Sequence, residues 1–205
     1  MRKKILVAAL AAASIAVVAP SMASAATAVP PLTSGATQGF ITNALNVAQA
    51  GSFTATGPLV LSGAASISCS SNSFGVSYTT AGTGTVTSFT AGGCAVSGFP
   101  SCPVSITPTD LPWGVRINKG GSTPPFTLDV NTSFHIVFGS GTPTCPAPAG
   151  TYNDTGLLSP MLSVSGGVIS AAFDAGSGSV TGPLGSATVS GTVSGTLPAG
   201  STKLN

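Results

Sequence analysis

The chain has 205 residues, of which 42% are hydrophobic and only 5% are charged, and its formal net charge is +2. So few charges exclude the basic surface that nucleic acids and anionic lipids require. The composition also excludes a disordered chain, which combines low hydrophobicity with a high net charge. We therefore expect a folded domain whose surface is built from Ser, Thr, Gly and Asn rather than from charged side chains.

The first 25 residues have the three parts of a secretory signal peptide: a basic start (MRKK), an apolar run at residues 5–19 and an A-x-A site that ends at Ala25. The apolar run is shorter than the roughly 20 residues that cross a bilayer. We therefore predict cleavage near Ala25, a secreted extracellular protein and no stable membrane insertion. The mature chain would carry three cations against four carboxylates, a net charge of −1: Arg116, Lys119 and Lys203 against Asp110, Asp129, Asp154 and Asp174.

Residues 26–50 form a leader rich in Pro, Gly and Thr, in which residues 40–50 suit either a short helix or an extended chain. Across residues 51–200, short β-branched runs are separated by Gly, Pro, Ser and Asn at the roughly 8–12-residue spacing of all-β domains. We predict an antiparallel β-sandwich, Ig-like or jelly-roll-like, stabilised by disulfides and followed by a tail at residues 201–205. The predicted strands are residues 52–61, 64–70, 74–79, 83–90, 103–107, 114–118, 126–131, 134–138, 150–153, 161–169 and a pair within 178–197.

The four cysteines, Cys69, Cys94, Cys102 and Cys145, all lie in the part of the chain that would be exported. An even number of cysteines in an oxidising compartment predicts two disulfides, and three pairings are possible. We favour Cys69–Cys94 with Cys102–Cys145, because each bridge would then join neighbouring strands.

The sequence TDLPWGVRI at residues 109–117 contains the only tryptophan, Trp113, which is either a ligand-binding residue or a packing anchor. On a strand that follows the proline turn, Trp113 shares one face with the apolar residues two and four positions later. An alternating apolar face of this kind favours a core position. Arg116 lies on the opposite face, where we expect it to face solvent and to pair with Asp110 or Asp129.

No sequence pattern predicts an active site or a metal centre. The chain has a single histidine, His135, no glutamate, and neither a G-x-S-x-G nor a C-x-x-C motif. Oxygen ligands suited to Ca²⁺ occur only as a loose set: Asp129, Asn131, Asn153 and Asp154. We therefore predict a non-enzymatic protein with no cofactor and no metal. The remaining catalytic alternative, a secreted hydrolase, would require His135 to lie close to an aspartate.

Several short motifs occur in an order that marks a resemblance: FTATG at residues 53–57, I-x-C at 67–69, G-C at 93–94, LPW at 111–113, then Cys145 and a Tyr-Asn pair at 152–153. This order resembles small secreted bacterial proteins of the PraB type, known as activators of alkane oxidation, and a broad set of secreted actinobacterial β proteins. The resemblance implies an exported, β-rich protein of the cell surface or extracellular matrix, in which no catalytic residues are expected.

Two functions are compatible with these observations. The first is a structural or interaction protein that associates with itself, as an oligomer or fibre, or with other cell-surface components. Its basis is the low-complexity segment at residues 178–200, which lacks the charged side chains that normally protect strand edges. The alternative is an extracellular binding module for an apolar, alkane-like ligand or a carbohydrate, with Trp113 at the site.

Overall fold

The computed structural model describes residues 27–99, 101–120, 126–139, 145 and 149–205, so the predicted signal peptide at residues 1–25 lies outside the described residues. The described residues contain no α-helix, which confirms the all-β prediction. None of their segments is a helix long and apolar enough to cross a membrane. The strands are β1 (Thr37–Gln38), β2 (Ile41–Thr42), β3 (Gly51–Ser62), β4 (Ser66–Tyr78), β5 (Thr83–Val96), β6 (Val104–Pro108), β7 (Trp113–Lys119), β8 (Phe126–Phe138), β9 (Gly150–Leu158), β10 (Met161–Ser165), β11 (Val168–Phe173), β12 (Gly178–Gly182), β13 (Gly185–Thr196) and β14 (Lys203–Leu204).

The main sheet closes on itself. Eight strands pair antiparallel in the order β3–β4–β5–β7–β8–β10–β11–β13, and β13 pairs again with β3. The structure therefore has an eight-stranded antiparallel barrel where the sequence predicted a sandwich. Inward and outward residues alternate along the strands of both architectures, and only long-range pairing distinguishes them. The decisive pairing joins β3 to β13, in which Ser62 faces Thr188, 126 residues later.

Long strands account for the other differences from the predicted elements. The predicted segments 126–131 and 134–138 are one strand, β8. Its start pairs with β7 and β10, its end pairs with β6, and β9 pairs with it from Val130 onward. The segments 64–70 and 74–79 likewise form the single strand β4. Conversely, residues 161–169 divide into β10 and β11 at Gly166–Gly167, whose φ angles of 59° and 78° allow a tight turn.

The leader and the C-terminal tail both contact the barrel. β2 of the leader pairs with β14 of the tail, and Ile41 of β2 is buried in the core. β1 pairs with the end of β7. Of the two alternatives for residues 40–50, the structure has extended chain followed by a turn, in which Asn43 Oδ1 accepts hydrogen bonds from the amides of Leu45 and Val47.

Both favoured disulfides are present. Cys69 on β4 lies directly opposite Cys94 on β5, so this bridge joins neighbouring strands as expected. The second bridge joins Cys102, two residues before β6, to Cys145; neither cysteine lies on a strand, so this bridge does not join neighbouring strands as expected. The two bridges fasten the hairpin β4–β5 and the approach to β6.

Candidate functional site

An apolar cavity of about 80 Å³ lies inside the barrel. Each of the eight barrel strands contributes at least one side chain to its wall, and β6 and β9 contribute Ile106 and Leu158. All lining residues are apolar except Asn72 and Thr132. The cavity follows from the inward alternation of the barrel strands, whose apolar side chains meet at the centre without filling it.

The donors of the two polar lining residues are used within the protein. Asn72 Nδ2 donates to the carbonyl oxygens of Gly57, at 3.0 Å, and Cys69, at 3.2 Å. A bulge between Gly57 and Leu59 interrupts the β3–β4 ladder at this point, so the Asn72 side chain replaces a missing backbone partner. Thr132 Oγ1 donates to the Gly156 carbonyl oxygen at 3.1 Å. Both hydrogen-bonding groups serve the backbone, and the cavity wall is in effect hydrocarbon.

Trp113 is a packing anchor and also a wall of the cavity. It is 1% exposed, and its Nε1 donates to the Thr109 carbonyl oxygen at 2.7 Å. Its ring packs against Phe89 at a centroid distance of 5.6 Å, and Phe89 packs against Phe74 at 4.8 Å. The predicted core position is therefore correct, and it places the indole where a guest in the cavity would alter its fluorescence.

The predicted environment of Arg116 is wrong. The leader crosses the outer face of β7, where Arg116 Nε donates to the Pro30 carbonyl oxygen at 2.6 Å and Nη1 donates to Gln38 Oε1 at 2.6 Å. The chain passes so closely over Gly114 that a Cβ there would collide with the carbonyl oxygen of Ala28. The hydrogen bonds of Arg116 in the described chain thus go to the leader, although Asp129 lies opposite it in the β7–β8 register.

The fold separates His135 from Asp154, although the two residues lie on paired strands. His135 is half-buried on the outer face of β8, between the exposed residues Thr107 and Asn153. Asp154 is the next residue of β9 after Asn153 and is buried on the opposite face. Because their side chains point to opposite faces of the sheet, Asp154 does not pair with His135 as a hydrolase triad would require.

The loose set of oxygen ligands is also divided. Asp129 is buried beneath the leader, whereas Asp154 lines a separate cavity of about 30 Å³ with Leu61, Ile136 and Leu184 among its walls. Within the described part of the chain, no group of three or more His, Cys, Asp or Glu residues could hold a metal ion. Burial raises the pKa of the Asp154 carboxyl above its ordinary value of 3.8 because desolvation disfavours the charged form.

Comparisons of the chain with protein-family models, curated proteins and solved structures found no match. Function is therefore inferred from two features of the barrel. One is the apolar cavity inside it, and the other is the uncharged outer face, which carries a row of hydroxyl side chains.

Proposed function

We propose that the protein is an extracellular binding module for a small apolar molecule, which it holds in the cavity inside the barrel. The supporting observation is the cavity itself, an apolar space of about 80 Å³ to which every barrel strand contributes. Well-packed interiors contain few voids larger than a water molecule, and apolar voids remain dry. A space of this size and chemistry favours a hydrocarbon guest over water.

Size and chemistry together define the class of ligand. An engineered apolar cavity of about 150 Å³ in another protein binds benzene or xenon. The cavity here is about half that volume, so it suits xenon or a short hydrocarbon, and larger guests would require the side chains of its wall to move. A carbohydrate would lose hydrogen bonds to water with few replacements, because the donors of Asn72 and Thr132 are already used. The resemblance to proteins linked to alkane oxidation is consistent with this preference.

Fluorescence of the single tryptophan tests the proposal. Addition of a short alkane or benzene should shift the Trp113 emission in a saturable way, whereas the corresponding alcohol should bind more weakly. Binding should also raise the unfolding free energy, by about 2.7 kcal/mol when the free ligand is at 100 times its dissociation constant.

Two neighbouring alanines on β11 provide a matched pair of variants. Ala171 lines the cavity, whereas Ala172 is half-buried outside it. Ala171→Leu should fill the space and abolish the fluorescence response, while Ala172→Leu should preserve it. Equal responses in both variants, or no response of the wild type to any apolar guest, would contradict the proposal.

Self-association at the cell surface is the second proposed function. Its support is an uncharged outer face, on which hydroxyl side chains lie opposite one another across six consecutive strands: Thr90, Ser73, Thr56, Ser194, Ser170 and Ser163. Closure of the barrel gives each of its eight strands a paired neighbour on both sides, so association would use faces more than strand edges. Size-exclusion chromatography and negative-stain microscopy at rising concentration should show oligomers or fibres, and a strict monomer would oppose this function.

A further inference from the structure

Three side chains meet where the leader crosses β7 and β8. Thr33 of the leader lies at the surface and turns its hydroxyl inward, where Oγ1 donates to Asp129 Oδ2 on β8 at 3.0 Å. Asn118 on β7 approaches the same hydroxyl, with its Nδ2 at 3.5 Å from Thr33 Oγ1. The cluster thus combines a hydroxyl, a carboxylate that accepts a hydrogen bond from it, and a carboxamide within reach of the same hydroxyl.

The carboxylate and the carboxamide are withdrawn from water. Asn118 and Asp129 are each 2% exposed, and the Oδ1 atom of each is buried without a hydrogen-bond partner. Such groups are costly to bury, so native proteins normally pair them or use them chemically. Arg116 lies opposite Asp129 in the β7–β8 register and supplies a nearby positive charge. A nucleophile within hydrogen-bonding distance of a base is the arrangement of activated nucleophiles.

We propose that Thr33 and Asn118 form an intramolecular ester bond, with Asp129 as the acid–base group. Thr33 Oγ1 attacks Asn118 Cγ while its proton passes to Asp129 Oδ2. The C–N bond of the carboxamide then breaks, Asp129 returns the proton to the departing nitrogen, and ammonia leaves. The hydroxyl and the carboxamide become an ester and one ammonia, so the step needs no oxidant, reductant or further reactant.

The bond would fasten the leader to the barrel. Thr33 and Asn118 are 85 residues apart, so the ester would close a large loop of the unfolded chain and stabilise the fold in the same sense as a disulfide. The inference concerns the leader alone and is independent of ligand binding in the cavity.

Intact-mass measurement of the reduced, full-length mature protein tests the proposal. We expect a mass lower than that of the sequence by one ammonia, and a peptide map in which the segment with residue 33 remains joined to the segment with residue 118. Hydroxylamine, which cleaves esters, should separate the two segments. A protein of full mass with free Thr33 and Asn118, or a deficit that maps to other residues, would overturn the inference.

Variants distinguish the chemistry from mere contact. Thr33→Ala and Asp129→Asn should each restore the full mass expected for their sequences. Asn131 is the matched control, because its Nδ2 also donates to the leader, at the Ala28 carbonyl oxygen at 2.9 Å. Asn131→Ala should keep the deficit of one ammonia. A deficit that persists in folded Asp129→Asn would overturn the role of Asp129, and one that persists in Thr33→Ala would overturn the ester.

Discussion

The two sides of β7 differ in what covers them. On the inner side, Trp113, Val115 and Ile117 pack into the apolar core, where area and shape determine the stabilisation. On the outer side, Arg116 and Asn118 are covered by a leader that binds through hydrogen bonds. The inner contact depends on a pattern that is local in the sequence, whereas the outer contact depends on a segment about 80 residues away. The burial of the inner side of β7 can thus be predicted from the local sequence, whereas the burial of its outer side cannot.

The strongest test of the inner contact is Trp113→Ala. It should lower the unfolding free energy by about 3–5 kcal/mol, the usual cost of truncating a buried large aromatic residue. Denaturant unfolding, followed by circular dichroism because the variant lacks tryptophan, measures this change. A loss below about 1 kcal/mol would mean that the ring is not a core anchor.

The outer contact should be weaker, and Gln38→Ala measures it. Gln38 Nε2 donates to the carbonyl oxygens of Ile117, at 2.7 Å, and Gly82, at 3.0 Å, and its Oε1 accepts from Arg116. We expect a loss of about 1–3 kcal/mol, since buried partners are left unpaired. Gln49→Ala is the control, because in the described part of the chain Gln49 Nε2 donates to the adjacent Val47 and Ala48 carbonyl oxygens and not to the barrel. Equal losses of unfolding free energy in the two variants would show that the Gln38 contact between the leader and β7 adds no particular stability.

Asp154 is a buried carboxyl among apolar side chains, and its burial should make the unfolding free energy depend on pH. Because burial raises its pKa, the folded protein binds this proton more tightly than the unfolded chain does. Its contribution to the unfolding free energy is therefore complete below pH 3.8 and is lost as the pH rises through the folded-state pKa. Asp154→Asn should reduce this decline and raise stability near neutral pH. Thermal unfolding measured from pH 3 to pH 8 tests this, with Asp174→Asn, at an exposed aspartate, as the control. If the stability of both variants changed with pH as that of the wild type does, the prediction would be contradicted.

The smallest effect is expected on the hydroxyl-bearing outer face. Ser194 bonds to Ser170 with an Oγ–Oγ distance of 2.7 Å on this half-buried face, whereas the adjacent Val193 is buried and lines the cavity. Ser194→Ala should change the unfolding free energy by no more than about 0.5 kcal/mol, while Val193→Ala should cost about 1–3 kcal/mol. Urea denaturation of the two variants compares the faces at neighbouring positions, and a reversed order would contradict the alternation.

Local pattern was sufficient to predict much of the fold. Alternation identified the all-β class, most strand positions and the core face of Trp113, and strand adjacency correctly predicted the Cys69–Cys94 bridge. The Cys102–Cys145 bridge was also predicted, although neither cysteine lies on a strand. Barrel closure was not predictable, because the β3–β13 pairing joins segments 126 residues apart at Ser62 and Thr188. The cover over Arg116 was missed for a related reason, since nothing in the leader alternates and its partners lie on other strands. The cavity was also missed, because its size depends on how the side chains of ten strands together fill the centre of the barrel. No single segment of the sequence contains that information.

The central claim is that the barrel interior holds an apolar guest. Methyl NMR with xenon or a short alkane tests it most directly. Methyl signals on the inner and outer faces of one strand show separately whether the added molecule contacts the cavity or the surface. We predict saturable shifts at Ala171 and Val193, which line the cavity, and unchanged signals at Ala172 on the other face of β11. Shifts confined to outer methyl groups, or no saturable shift at any lining methyl group, would contradict the account.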